Sequence, residues 1–303
     1  MEPNGVIIKN VANLHAEKDT DSERVTQAIM GQPIVIEKEE ETSPRLRHPG
    51  DKWLYVQTWD TYHGWIQSRW VTRTVPKPAR EVTLTSLFTD AYQSPNWSSE
   101  IWTKLVITTT LELLEPEKNL SRIKLEDGKE AWVLGFSKDQ RTKMVHVRLP
   151  DGKDAWVLST DVRIADAGEQ QLPLGPTGQE LIKTGKRFLG VPYLWGGTSP
   201  FGLDCSGFVQ LSYKLNGMGL LRDADIQASD PRTIPVEKKD LMAGDMVFFA
   251  GGEDKTKITH IGMAIGDGTF IHSSGGGVGV TINNLTDDPF ERNYWGARRM
   301  DQR

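Results

Sequence analysis

Short apolar runs broken by polar turns fill the first half of the chain. Val25 to Val35 and Trp53-Leu54-Tyr55-Val56-Gln57 alternate or run apolar, and Tyr62-His63-Gly64-Trp65-Ile66 follows a turn. Residues 1 to about 75 therefore predict short strands. Between them, Lys38-Glu39-Glu40-Glu41-Thr42-Ser43-Pro44-Arg45 predicts a solvated charged tip, and Val75-Pro76-Lys77-Pro78 predicts a linker. Beyond it, Leu125-Glu126-Asp127-Gly128-Lys129-Glu130-Ala131-Trp132-Val133-Leu134 recurs as Leu149-Pro150-Asp151-Gly152-Lys153-Asp154-Ala155-Trp156-Val157-Leu158. Each copy reads strand, Asp-Gly turn, strand. Two copies are too few for a solenoid, so they are expected as hairpins of a small barrel, one of them an insertion.

After Gln171-Leu172-Pro173-Leu174-Gly175-Pro176 the pattern turns helical. Thr177-Gly178-Gln179-Glu180 opens an amphipathic helix through Phe188, ended by Gly190 and Pro192. Asp204 is placed to cap a second helix whose first residue is Cys205, with Phe208, Val209, Leu211, Ser212 and Leu215 on its buried side. Strands are expected at 245–250, 258–265, 269–273 and 278–282. Helices first and an antiparallel sheet after give an α+β order.

Cys205 is the single cysteine of the chain. A helix start offers unpaired N–H groups and the positive end of the dipole, which favour thiolate over thiol. A cysteine nucleophile needs a base, and the base needs an orienting partner. His260 and His272 fall in one strand–turn–strand around Gly266-Asp267-Gly268. If Asp267-Gly268 alone makes the turn, Met263 pairs with His272 and the two histidines point to opposite faces. A three-residue turn or a bulge returns them to one face. Two other readings stay open on these residues: an inert core thiol, and a zinc site built from Cys205, the two histidines and Asp204. No Cys-x-x-Cys or His-Glu-x-x-His accompanies them.

Composition sets outer bounds. A chain of 303 residues has room for two or three domains. Net charge is −5 with both signs intermixed, and no basic stripe points to nucleic acid or an anionic membrane. The stretch from Arg69 to Arg80 is broken by prolines and reads as a linker. Ten Trp and 29 Gly suit small β-barrels and clefts for sugars or peptides. No apolar run approaches the ~20 residues of a spanning helix. The polar start Met1-Glu2-Pro3-Asn4-Gly5 lacks a signal-peptide pattern, so the expectation is a cytoplasmic protein, or an exported one whose signal is absent from this chain.

Five blocks follow one another: Tyr193-Leu194-Trp195-Gly196-Gly197, Asp204-Cys205-Ser206-Gly207-Phe208-Val209, Ala243-Gly244-Asp245-Met246-Val247-Phe248-Phe249, His260-Ile261-Gly262-Met263 and Ile271-His272-Ser273-Ser274. This series resembles the NlpC-type, papain-like cell-wall cysteine peptidases of bacteria over residues 175 to 303. Earlier in the chain, Gln27-x-x-x-Gly31, Trp53-x-x-Val56 and Gly64-Trp65-Ile66 resemble bacterial SH3-like barrels. The expected architecture is multidomain: SH3-like β-barrels over 1–75 and 80–168, then an α+β papain-like domain over 175–303. The resemblance implies Cys205 as nucleophile, His260 as general base and acid, and His272 as the orienting third member, with no cofactor and no metal.

Two SH3-like domains before such a domain look like the γ-D-glutamyl-L-diamino acid endopeptidases. Those enzymes cut peptidoglycan stem peptides, L-Ala-γ-D-Glu-diamino acid, that carry a free N-terminal L-Ala. A free ammonium needs a buried anion, and Asp204 is the sequence-based choice, with Tyr62 contributed by the first barrel. Tyr193, Trp195 and Ser206 would line the cleft, and Arg222 and Asp223 would contact carboxylate and amide groups of the stem. Two alternatives stand beside this: an endo-acting murein hydrolase, and a non-catalytic wall-binding protein. A monomer is expected.

Overall fold

The computed structural model of the chain describes residues 2–41, 50–95, 98–114, 120–124, 130–134, 144–166, 176–251 and 256–301. Part of the charged tip (42–45), the first half of the first repeat copy (125–129) and most of the second connector (171–175) lie outside the described residues. The chain forms two compact units. One holds residues 1–12, 28–56 and 65–170; the other holds 13–27, 57–64 and 171–303.

Among the described residues, the N-terminal strands are β1 (Gly5–Ile7), β2 (Val11–His15), β3 (Arg24–Ile29), β4 (Pro33–Glu40), β5 (Trp53–Gln57), β6 (His63–Gln67) and β7 (Val71–Thr72), in the sheet order β3-β2-β6-β5-β4-β1-β7. Next come β8 (Arg80–Leu84), β9 (Phe88–Tyr92), β10 (Ile101–Val106), β11 (Thr110–Leu113), β12 (Leu120–Lys124), β13 (Glu130–Leu134), β14 (Met144–Arg148), β15 (Asp154–Leu158) and β16 (Val162–Asp166). Here the order is β10-β9-β15-β14-β11-β8-β16, and β12–β13 pair as a separate hairpin.

Once β12 and β13 are set aside, the second sheet repeats the first strand for strand. The two sequence repeats therefore have different fates. The second copy supplies the turn of β14–β15 inside the sheet, where Gly152 takes φ 87° after Asp151. Such a left-handed turn residue favours glycine. The described part of the first copy supplies β13, one strand of the separate hairpin. Alternation does the packing: Val82, Leu84, Ala91, Leu105, Val145, Val147, Ala155 and Val157 point inward and form one core.

The C-terminal region holds α1 (Gly178–Lys186), β17 (Thr198–Ser199), β18 (Gly202–Leu203), α2 (Cys205–Leu215), α3 (Ala224–Ala228), β19 (Thr233–Val236), β20 (Met246–Ala250), β21 (Ile258–Ala264), β22 (Thr269–Ser274), β23 (Gly279–Asn284), α4 (Phe290–Asn293) and β24 (Tyr294–Met300). The antiparallel sheet runs β19-β24-β20-β21-β22-β23. Sequence patterning gave four of these strands and missed β19 and β24. In β24 the charged pair Arg298-Arg299 hides the alternation, and the Asp245 carboxylate takes the Arg299 guanidinium at 2.6 and 2.7 Å. In β19 a proline interrupts an edge strand, where its missing N–H is tolerated.

Helix α1 starts on a capping box, Thr177 with Glu180, which satisfies two orphan backbone donors. Helix α2 lies on β21 and β22. Its residues Phe208, Val209, Leu211 and Ser212 are buried as the pattern predicts, while Leu215 is only partly so. Tyr213 is buried in α2 and donates its hydroxyl proton to the Gly244 carbonyl at 2.7 Å.

Candidate active site

Cys205 is the first residue of α2. Asp204 precedes it in extended conformation, and its Oδ1 accepts the Gly207 N–H at 2.7 Å. The cap thus sets where the helix begins and what stands there. The Cys205 sulfur accepts backbone N–H groups of Ser206 and of Ile261, the neighbour of His260 on β21. Sequence reasoning expects the helix start to favour thiolate. In the structure burial outweighs those donors and pushes the thiol up to about 12, with the Asp204 charge adding to the rise.

The histidines share one face. The turn between β21 and β22 has three residues, Gly266-Asp267-Gly268, closed by Ile265 N–H donating to the Thr269 carbonyl at 2.9 Å. Both glycines have positive φ, 100° and 86°, conformations that side chains rarely adopt. Met263 then pairs with Ile271 rather than with His272, which resolves the register. His260 Nε2 lies 2.8 Å from His272 Nδ1, and His272 Nε2 lies 3.0 Å from Asn283 Oδ1.

Aromatic rings enclose the pair. Phe270 stacks on His272 at 4.5 Å, Phe290 meets His272 edge-on at 5.1 Å, and Phe249 is 5.8 Å from His260. Burial in this dry shell, helped by the nearby His272, lowers His260 to about 3, and burial lowers His272 as well. Burial thus keeps both the Cys205 thiol and the His260 imidazole toward their uncharged forms.

Beneath the helix start lies a second charged cluster. Arg222 is 1% exposed, yet it ion-pairs with Asp204 through both terminal nitrogens and donates to Ser206 Oγ at 2.9 Å and Thr26 Oγ1 at 3.0 Å. The second Asp204 oxygen also accepts the Gly196 N–H at 2.9 Å. Among the described residues no three His, Cys, Asp or Glu side chains converge in a metal-holding arrangement.

Comparison with known proteins finds similarity in two parts of the chain. Residues 190–299 match the NlpC/P60 family, and residues 10–72 match the bacterial SH3 domain. The chain carries an NlpC/P60 domain and a bacterial SH3 domain. It is 43% identical over 123 residues to a gamma-D-glutamyl-L-lysine dipeptidyl-peptidase of Bacillus subtilis, with 41% of each chain covered. It is 28% identical to dipeptidyl-peptidase 6 of Lysinibacillus sphaericus, over 94% of this chain and 92% of that one. The chain spans only about two fifths of the length of the two dipeptidyl-peptidases of Bacillus that it matches. A crystal structure of an NlpC/P60 family protein from Bacillus cereus superposes with a TM-score of 0.76 at 26% identity, covering 98% of this chain and 99% of that one.

Around the NlpC/P60 catalytic candidates, the remaining sequence-named residues fall into two groups. Ser206, Arg222 and Asp204 form the buried cluster. Tyr193 sits half-buried close enough to Cys205 and Asp204 that their charges add to the burial that pushes its hydroxyl up to about 12. Trp195 is 61% exposed, and its Nε1 donates to Glu23 Oε1 at 2.7 Å. Tyr62, from the turn before β6, donates its hydroxyl proton to Asp223 Oδ2 at 2.9 Å. Burial is the main cause that raises Asp223.

Several residues escaped sequence reasoning. Asn283 ends the histidine line on β23, and a polar residue alternating with Ile282 was its only signal. Gln27, expected as an SH3 signature position, receives the Thr198 N–H at 3.1 Å and the Ser199 hydroxyl at 3.0 Å on its side-chain oxygen. Gln210 is buried in α2 and donates to Asp60 Oδ2 at 2.7 Å. Nothing local in the sequence reports such long-range pairings.

Proposed function

We propose that this protein is a cysteine peptidase that hydrolyses the γ-D-Glu–diamino acid bond of bacterial peptidoglycan stem peptides with a free N-terminal L-Ala. The observation that carries the reading is the single thiol at the start of α2, beside Ile261, with His260 bonded to His272 on the adjoining strands. Relatives named as dipeptidyl-peptidases supply the substrate class.

In this reading His260, whose Nε2 is engaged by His272, takes the Cys205 proton at Nδ1 as sulfur attacks the D-Glu side-chain carbonyl. The backbone N–H of Cys205 at the helix start stabilises the oxyanion. The C–N bond breaks, the protonated imidazole gives its proton to the leaving amine, and a thioester remains. Water, activated by the same imidazole, hydrolyses the thioester and regenerates the thiol. Protein groups carry every step.

Substrate contacts follow from what is already paired. Asp204 has both oxygens engaged by Arg222 and by backbone N–H groups, so its charge is spent on the helix start. The L-Ala ammonium is assigned instead to Asp223, held by Tyr62, with Asp204 and Ser206 acting on the site through Arg222. Tyr193 and Trp195 flank the stem peptide. The role is stem-peptide recycling or wall turnover.

Mass spectrometry of L-Ala-γ-D-Glu-diaminopimelate incubated with wild type and Cys205→Ala tests the reaction. The wild type should release L-Ala-D-Glu and the variant should not. Cleavage confined to intact sacculi would favour an endo-acting hydrolase, and peptide binding without cleavage would make the protein a wall-binding module.

A further inference from the structure

Asn283 stands at the far end of a hydrogen-bonded line that begins at His260 on β21. Its Oδ1 faces His272 Nε2 at 3.0 Å, and His272 Nδ1 faces His260 Nε2 at 2.8 Å. An amide oxygen can only accept. His272 Nε2 must therefore carry hydrogen, and a neutral ring then leaves Nδ1 as an acceptor. That acceptor requires hydrogen on His260 Nε2, which leaves His260 Nδ1 with the free lone pair. Reversing the amide would reverse every bond, put hydrogen on His260 Nδ1 and remove the base.

His272 is wholly buried, and Phe270 and Phe290 pack on it, so the ring has little freedom to find another partner. Asn283 pairs across the ladder with Phe270, which sets its side chain diagonal to His272 on the same face. We propose that Asn283 is a positioning residue that fixes the tautomers of His272 and His260, so that the unprotonated Nδ1 of His260 is the base for Cys205. This rests on the cysteine peptidase reading above. The same direction of bonding also accepts the second proton when His260 becomes imidazolium.

Asn283→Ala and Asn283→Asp separate this role from mere packing. Two readouts are needed: the pH profile of kcat/KM on the stem peptide, and the rate of iodoacetamide alkylation of Cys205, the single thiol of the chain. Asn283→Ala, checked for folding by thermal melting, should lose roughly 10- to 100-fold in kcat with little change in KM, part of the ~10²–10⁴ that a general base contributes. Its Cys205 should also alkylate more slowly at neutral pH. Asn283→Asp keeps an acceptor-only group, so it should restore both rates. Its added negative charge favours imidazolium and should move the acid limb of kcat/KM, where His260 takes up its proton, to higher pH.

An alanine variant with wild-type rates would overturn the proposal. So would an aspartate variant as impaired as alanine with an unmoved acid limb. Alkylation needs no peptide, so failure of the peptidase reading would show as absent hydrolysis with the alkylation differences intact.

Discussion

Gly262 faces His272 across the β21–β22 ladder, one step beyond the Met263–Ile271 pair. A methyl group on Gly262 would lie 3.0 Å from His272 Cβ, 2.9 Å from the Ile271 carbonyl oxygen and 2.7 Å from Phe270 Cδ2. The glycine between His260 and Met263 is thus the space in which the second histidine stands. Gly262→Ala should cost about 1–3 kcal/mol of stability through overpacking. Because a shift of about 1 Å at such a site costs on the order of 100-fold, kcat should fall far more than folding does. Urea unfolding and kcat on one protein preparation check both; a stable variant with full activity would refute the packing argument.

The Asp204–Arg222 pair makes a second prediction. Arg222→Met would leave a carboxylate buried without its counter-charge, which costs about 3–5 kcal/mol. Asp204→Asn keeps the cap acceptor but strands the buried Arg222 guanidinium, so it should also destabilise. Combining both removes the orphaned charge, so the double variant should be more stable than Arg222→Met alone. Unfolding free energies of the four proteins give the comparison, and strict additivity would deny the coupling.

The lowered histidines tie stability to pH. A histidine whose folded pKa lies below its unfolded value stays neutral in the native state while the unfolded chain takes a proton below about pH 6.5. Stability is therefore complete above that value and is lost as pH falls toward the depressed folded one. Between pH 7 and 5.5, a window in which ordinary carboxylates stay charged, His260 should remove roughly 1 kcal/mol and His272 should add to the loss in the same direction. In His272→Gln the loss over the same window should shrink. An unchanged slope would mean that His272 charges in the native state.

How much of this was visible beforehand depends on how local the signal is. Asp204 before Cys205 announced a helix start because capping is decided within four residues. The histidine hairpin was half legible. Gly266-Asp267-Gly268 signals a turn but does not choose between two and three residues, and that choice decides which face His272 takes. Asn283, Gln27, Gln210 and Thr26 were silent, since their partners lie 11 to 196 residues away. The ammonium candidate went to Asp204 by adjacency to the nucleophile, and its pairing with the buried Arg222, eighteen residues on, had no local signal.

The free amine gives the last prediction. Asp223 is half-buried and raised chiefly by that burial, with Tyr62 as its hydrogen-bond donor. A carboxylate so placed gains from meeting a cation, and blocking the L-Ala amine removes that contact while leaving the carboxylate uncompensated. The combined loss is on the order of 2–5 kcal/mol. It corresponds to roughly 30- to several-thousand-fold in kcat/KM between free and N-acetylated stem peptide. Asp223→Asn should narrow that gap sharply, and Tyr62→Phe should narrow it less, because the charge remains. The preference should also fade as pH falls through the raised Asp223 pKa, where the carboxyl takes up its proton. If Asp204→Asn closes the gap and Asp223→Asn leaves it, the ammonium belongs to Asp204. If wild type cuts both peptides equally well, the free-amine reading gives way to an endo-acting hydrolase.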